Sequence, residues 1–132
     1  MRYLLDTNVV IDILRDNKDV ARRYQLETLK RSRIFICPIV YYEVVRGFKI
    51  GGATKKFETF LQLYRNWRIL TFDEDVAKKS VDIYEQLHKG ELIEDNDIYI
   101  AAVAIVNGCT LVTANTNHFG RVDGLNFINW RT

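Results

Sequence analysis

The chain has 132 residues, 48% of them hydrophobic and 27% charged, a size and composition typical of one globular domain with its own core. No apolar run approaches the ~20 residues that span a bilayer, and the N-terminus lacks the apolar segment of a secretory signal. We therefore predict a single domain over residues 1–132 and a cytoplasmic location. Cys37 and Cys109 stand singly without zinc-site spacing, which predicts reduced core cysteines.

The net charge of +2 conceals an uneven distribution along the chain. Through Phe72 there are 14 Lys and Arg against 7 Asp and Glu, and from Asp73 onward 5 against 10, so the two parts carry +7 and −5. This asymmetry is compatible with a basic face for a polyanion beside an acidic pocket for a metal, and equally with helix faces that happen to differ in charge.

Strands and helices alternate in the first half of the sequence. The short apolar segment Tyr3-Leu4-Leu5 predicts a buried strand that delivers Asp6 at its carboxyl end. Pro38 closes the second strand and suits the first turn of the next helix, in which Glu43 lies about one turn from the start. The predicted elements are a strand over 3–5, helices over 9–14 and 18–30, a strand over 33–37, and helices from 38 to the breaker at 51–52 and over 54–64.

The second half continues the alternation around a central helix. The segment 97–107 is apolar on nearly every side, with Asp95 or Asn96 as its cap and Gly108 as its end. The other predicted elements are a strand over 68–70, a helix capped within 71–73 and running to about 88, a strand over 110–113, a polar loop over 114–118 and a strand over 126–128. This order predicts an α/β fold with a mostly parallel central sheet of four to five strands and helices on both faces.

In such folds ligands bind beyond the carboxyl ends of the strands. Asp6 lies there, and Glu43 and Asp97 each lie near the start of a helix that follows a strand or loop, so the three carboxylates are expected at one edge of the sheet. Two carboxylates about 4 Å apart repel by roughly 4 kcal/mol at an effective dielectric constant near 20. A divalent cation relieves this repulsion, and oxygen ligands without a Cys or His cluster favour Mg²⁺ or Mn²⁺. Such a site can hydrolyse a phosphodiester, although acids at helix starts also serve simply as caps.

Five motifs in order carry a resemblance that covers nearly the whole chain. They are Leu5-Asp6-Thr7-Asn8, Glu43 with Gly47, Asp97-Ile98-Tyr99-Ile100-Ala101-Ala102, Leu111-Val112-Thr113-Ala114-Asn115, and Arg121-Val122-Asp123-Gly124-Leu125 with Asn129-Trp130. With these motifs the sequence resembles the PIN-domain family, and most closely the VapC ribonucleases of toxin-antitoxin pairs. The resemblance implies a parallel sheet with flanking helices, metal-dependent cleavage of RNA, a homodimer, and inhibition by a VapB-like antitoxin.

The resemblance also assigns roles to individual residues. It implies that Asp6, Glu43 and Asp97 bind the metal directly or through water, that Thr7 and Asn8 orient Asp6, and that Thr113 and Asn115 hydrogen-bond ligands or the attacking water. Asp95 is a possible accessory ligand.

His118 is the one departure from the family pattern. It stands before Phe119, where relatives usually have an acid, and is interpreted either as a loop histidine or as a ligand. The loss of one negative charge predicts weaker Mg²⁺ binding and a relative preference for Mn²⁺.

Two alternatives remain open from the sequence, and a third fails. With the fourth acid replaced, the chain could be a catalytically weak protein that binds RNA or an antitoxin. A metal-free nuclease would have only His88 and His118 to use, which nothing in the sequence places together. Resemblance to a receiver-type signalling domain fails, because such a domain has an acidic pair after its first strand and a lysine after its last. Neither Asp6-Thr7-Asn8 nor Asn129-Trp130-Arg131 supplies these residues.

Several cations are candidates for phosphate contacts, and the sequence does not choose among them. They are Arg22, Arg23, Arg46, Lys49, Lys55 and Lys56.

Overall fold

Strands and helices alternate along a computed structural model that describes residues 1–131; Thr132, the last residue of the predicted domain, lies outside the described residues. The strands are β1 (Arg2–Leu5), β2 (Arg33–Ile36), β3 (Arg68–Ile69), β4 (Thr110–Val112) and β5 (Phe127–Ile128). The helices are α1 (Thr7–Leu14), α2 (Lys18–Leu29), α3 (Pro38–Gly51), α4 (Thr54–Tyr64), α5 (Glu74–Leu87), α6 (Asp95–Val106) and α7 (Thr116–Phe119). Within residues 1–131, none of the helices combines the length and hydrophobicity that a membrane span requires.

The five strands form one sheet in the order β3-β2-β1-β4-β5, and every pairing is parallel. β1 lies at the centre, where Tyr3 is paired with Ile34 of β2 on one side and with Thr110 of β4 on the other. The predicted α/β fold with a parallel sheet is therefore confirmed, at the upper end of the predicted strand number.

Helix α6 is the central helix that its composition predicted. Its residues Ala101, Ala102 and Ala104 are completely buried, which allows close approach of neighbouring elements, and its main helical neighbour is α5. Gly108 follows the helix at φ +64°, a conformation that suits glycine, and the amide of Cys109 donates to the carbonyl of Ala104 at 2.9 Å. The predicted end of this helix is correct.

Two helix starts were predicted two residues late, and one short helix was missed. Helix α1 begins at Thr7 and not at residue 9. Helix α6 begins at Asp95, two residues earlier than predicted, because Glu94 has the extended backbone of the preceding cap. The predicted loop over 114–118 is in its second half part of the short helix α7, which ends at the fully buried Phe119. A single helical turn with one apolar residue is too short to show apolar periodicity, so the sequence pattern could not separate it from a loop.

Both cysteines are free and buried, as predicted. Burial raises the pKa of the Cys37 thiol to about 11 and also raises that of Cys109. Both therefore remain neutral thiols that fill space in the core.

Candidate active site

The order of the strands creates a crevice between β1 and β4. From β1 the chain passes to β2 and β3 on one side of the sheet and then to β4 on the other, so the direction of winding reverses beside β1. Ligands of open parallel sheets bind at this point, beyond the carboxyl ends of the strands. Asp6 follows β1 and Thr113 follows β4, which places both residues in the crevice.

Asp6 is only 5% exposed, and its carboxylate accepts three hydrogen bonds. Its Oδ1 accepts from the amide of Thr7 at 2.8 Å, and its Oδ2 accepts from the hydroxyl of Thr113 at 2.8 Å and from the side-chain amide of Asn8 at 3.2 Å. Its own amide donates to the carbonyl of Val112 at 2.9 Å, which extends the pairing of β1 with β4. The carboxylate is thus fixed in orientation from two sides of the crevice.

Burial is the main reason why the pKa of Asp6 is raised to about 6 from an ordinary 3.8. The hydrogen bonds from Thr113 and Thr7 oppose this increase, and the negative charges of Asp97 and Glu43 add to it. The fold therefore brings the three predicted carboxylates close enough to interact, and in the absence of a cation their charges are mutually unfavourable.

Glu43 lies in the second turn of α3 and is half-buried. Its Oε1 accepts a hydrogen bond of 2.8 Å from the hydroxyl of Thr7. Thr7 thus contacts two of the carboxylates: its backbone amide orients Asp6, and its hydroxyl orients Glu43. The resemblance had assigned Thr7 to Asp6 alone.

Asp97 lies in the first turn of α6, and its neighbour across the site is His118 of α7. Nδ1 of His118 lies 3.2 Å from Oδ2 of Asp97 and 2.8 Å from the side-chain nitrogen of Asn115. A proton on Nδ1 would be donated to Asp97, and rotation of the Asn115 amide would then offer its oxygen to the same proton. Burial raises the pKa of Asp97, and the hydrogen bond from His118 counteracts the increase.

Two backbone amides connect the loop after β4 to the rest of the site. The amide of Asn115 donates to the hydroxyl of Thr113 at 3.0 Å, and the amide of Ala114 donates to the side-chain oxygen of Asn8 at 3.1 Å. Asn8 therefore bridges Asp6 and this loop. The bond from Ala114 to Asn8 spans 106 residues and that from Thr113 to Asp6 spans 107, so no local sequence signal indicates either of them.

Asp95, the possible accessory ligand, is not brought to the other carboxylates. It is exposed and lines a cavity with Phe72, Tyr84 and Tyr99 on the side of α6 that faces α5. Since successive helical residues are rotated by about 100°, Asp95 and Asp97 point in nearly opposite directions around α6.

The two histidines have separate surroundings in the structure. His88 follows α5, where it stacks on Tyr84 and its Nδ1 lies 2.6 Å from the carbonyl of Glu85. His118 instead contacts Asp97 and Asn115. The structure therefore gives no support to a nuclease that uses both histidines together.

The donor set of the crevice fits a hard divalent cation. Carboxylate oxygens of Asp6, Glu43 and Asp97 lie at one edge of the sheet, and a cation would offset the cost of their charges. In the part of the chain that the structure describes, no three acidic, histidine or cysteine side chains form a ready-made ligand set. An ion held in part through water is consistent with both observations.

The fold and the acidic crevice are features of a known protein family. The model of the PIN domain matches residues 3–125. Ribonuclease VapC1 of Methanocaldococcus jannaschii is 34% identical over 92% of this chain and 81% of its own length. Ribonuclease VapC2 of Rickettsia felis is 30% identical over 98% of each chain.

A solved structure agrees with the sequence relatives. The structure of VapBC2 from Rickettsia felis bound to a DNA fragment from their promoter matches with a TM-score of 0.87 and 27% identity, over 98% of this chain and 99% of that one. The chain therefore belongs to the PIN-domain family and, within it, to the VapC ribonucleases.

Proposed function

We propose that this protein is the toxin of a toxin-antitoxin pair and cleaves RNA internally in the cytoplasm, with Mg²⁺ or Mn²⁺ held by Asp6, Glu43 and Asp97 directly or through water. The observation that carries this proposal is the hydrogen-bond network that links the three carboxylates. Thr7 bonds to both Asp6 and Glu43, and Thr113, Asn115 and His118 connect Asp6 to Asp97. Groups of like charge that are held together at a cost to the free energy of folding are typical of catalytic and binding sites.

The residues of the crevice would act by holding and orienting groups. Thr7, Asn8 and Thr113 fix the carboxylate of Asp6, and Thr7 also fixes that of Glu43. Asn115, next to His118, would orient the attacking water or a ligand. A bound divalent ion would stabilise charge on the phosphate and lower the pKa of the attacking water. The attacking water would lose one proton to solvent as its oxygen bonds to phosphorus, and the bond from phosphorus to the 3′ oxygen would break. The 3′ oxygen would take up a proton from solvent, which leaves 5′-phosphate and 3′-hydroxyl ends.

The partners are part of the proposal. The relative from Rickettsia felis was crystallised as VapBC2 on promoter DNA, and by analogy we infer that a VapB-like antitoxin inhibits this chain. We also infer a homodimer. An exposed apolar surface supports it: Phe72, Val81 and Tyr84 are each more than 40% exposed and line one cavity together with Tyr99.

Cleavage of a structured RNA by the purified protein tests the proposal. We expect cleavage with Mg²⁺ or Mn²⁺, none with excess EDTA, and a loss of at least about 100-fold in Asp6→Asn, because the variant keeps the shape of the side chain but loses its charge. Asp16→Asn is the matched control, since Asp16 is an exposed acid at φ +55°, a conformation that asparagine also tolerates. Cleavage that persists in EDTA would contradict the proposed chemistry.

The same assay tests the role of His118. Titration of each ion should give activation by Mn²⁺ at lower concentration than by Mg²⁺, and equal activation would contradict the proposed effect of this residue. Growth arrest on expression, abolished by Asp6→Asn and relieved by the antitoxin, would separate a toxin from a catalytically weak binding protein. Arrest that survives Asp6→Asn would favour the latter.

A further inference from the structure

A cavity lies beside Glu43, between helices α1, α3 and α4. Its volume is about 230 Å³, and its wall includes Leu14, Arg15, Glu43, Gly47, Phe48 and Lys56. This is below the ~300–1,000 Å³ of pockets that enclose a whole small-molecule ligand, so it suits one base or sugar of a longer chain. Because Glu43 is part of its wall, anything bound there lies next to the carboxylate crevice.

The wall of this cavity combines apolar surface with unpaired cations. Leu14 and Phe48 supply apolar surface, and Phe48 also packs on Phe57. Arg15 and Lys56 are exposed and take part in none of the ion pairs formed within residues 1–131. Glu43 is the only acid in the wall. Single-stranded RNA is typically bound in this way, with bases against apolar groups and phosphates against cations.

We propose that this cavity is a nucleotide subsite of the ribonuclease. One RNA base enters it against Leu14 and Phe48, while Arg15 and Lys56 bind the phosphates on either side of that nucleotide. The subsite positions the RNA so that a neighbouring phosphodiester lies over the carboxylates. This inference rests on the proposed ribonuclease function and adds to it the residues that select and hold the substrate.

Gly47 offers a way to fill the cavity without disturbing the core. It lies on α3 one turn after Glu43, and a Cβ atom added there would meet no other group within 4 Å. Gly47→Leu therefore places a side chain in the cavity. The substitution should also stabilise α3, because leucine has a higher helix propensity than glycine. Gly51→Leu is the matched control, because Gly51 lies on the same helix with equally open space but outside the cavity.

Lys56 and Lys55 form a second matched pair. Both are exposed lysines in the first turn of α4, but only Lys56 lines the cavity. Loss of one phosphate contact to single-stranded RNA should reduce the slope of log K against log salt by about 0.7. We expect this reduction, together with roughly fivefold weaker binding at low salt, for Lys56→Ala and Arg15→Ala, and no change for Lys55→Ala.

The experiment measures the binding of a fluorescein-labelled single-stranded RNA oligonucleotide by anisotropy in EDTA, so that no cleavage occurs. Gly47→Leu should weaken binding and lower kcat/KM for cleavage in Mg²⁺, with its Tm unchanged or higher, while Gly51→Leu behaves as wild type. Equal RNA binding by Lys55→Ala and Lys56→Ala, or undiminished binding by Gly47→Leu, would overturn the proposal. So would variants that bind RNA normally but lose affinity for the antitoxin, since the cavity would then be an antitoxin contact.

Failure of this inference can be told apart from failure of the proposed function. If the wild-type protein cleaves RNA and Asp6→Asn does not, the ribonuclease site stands whatever the cavity variants do. If those variants then bind RNA as the wild type does, only the nucleotide subsite is wrong.

Discussion

Asp6 is a residue whose burial and charged neighbours oppose the stability of the fold. Its carboxylate is 5% exposed, and burial together with two neighbouring negative charges raises its pKa to about 6. The hydrogen bonds from Thr7, Asn8 and Thr113 offset only part of this cost. Such an unfavourable carboxylate makes physical sense where a cation is to be bound.

The raised pKa leads to a prediction about stability and pH. The unfolded carboxyl group ionises near 3.8 and the folded one near 6, so between these values the folded, metal-free protein binds more protons than the unfolded chain. Its free energy of unfolding therefore falls as the pH rises through this window. Asp6→Asn removes this loss, and we expect its stability relative to wild type to increase by up to about 3 kcal/mol from pH 4 to pH 7.

Urea denaturation in EDTA across this pH range measures the difference. Asp16→Asn, which changes an exposed acid, should show no such trend. If the difference between Asp6→Asn and wild type did not vary with pH, then Asp6 would not ionise at a cost in the folded state.

The roles of single residues were predictable only in part from the sequence. Position at the end of a strand or the start of a helix singled out Asp6, Glu43 and Asp97. The bond from Thr7 to Glu43 spans 36 residues and that from Thr113 to Asp6 spans 107. A contact of that kind depends on how distant elements pack, and no pattern within one segment encodes it.

Helix α6 illustrates what an element's own sequence specifies. Its apolar surroundings follow from its composition, and its end follows from Gly108, where the amides of Gly108 and Cys109 donate to the carbonyls of Ile105 and Ala104. These two bonds form a Schellman motif, which needs a left-handed residue just beyond the helix. The start of α6 was misplaced because Asp95 and Asn96 both suit a cap, whereas the residue at the cap position is Glu94, whose side chain makes no capping hydrogen bond.

The end of α6 can be tested by substitution of its glycine. Gly108→Ala should lower the free energy of unfolding by about 1–2 kcal/mol, because an L-residue is strained at φ +64°. The space around the Cβ position is open, so the loss would come from the backbone conformation alone. Gly51→Ala, at the end of α3 and without a positive φ, should instead be neutral or stabilising. Equal effects of the two substitutions in urea denaturation would contradict this explanation.

At the scale of the whole molecule, apolar residues remain exposed on one surface. Val81 and Tyr84 of α5 are 59% and 47% exposed, and with Phe72 and Tyr99 they line a cavity of about 370 Å³. A second apolar cavity, lined by Cys37, Pro38 and Val103, also includes Phe72 and Tyr99, so the apolar surface is continuous. A surface of this kind is typical of an interface between subunits.

The proposed homodimer can be tested on this surface. Val81→Glu places a charge on this surface and should convert a dimer into a monomer, which light scattering after size exclusion would detect. Leu29→Glu is the control, because Leu29 of α2 is 81% exposed and belongs to neither of the two cavities. A wild-type monomer, or a dimer that survives Val81→Glu, would contradict this assignment.

The sequence by itself determined the alternation of strands and helices, the parallel sheet, the central helix and three separate carboxylates, because each depends on local periodicity or on the residues that end an element. Only the tertiary structure decided that β1 lies between β2 and β4. That strand order brings Asp6 to Thr113, and the packing of α3 and α6 on the sheet brings Glu43 and Asp97 toward them. The tertiary structure also decided that Asp97 and not Asp95 lies beside the other carboxylates, and that Lys56 and not Lys55 lines the cavity next to Glu43. The direction in which a side chain points depends on which face of its helix is packed.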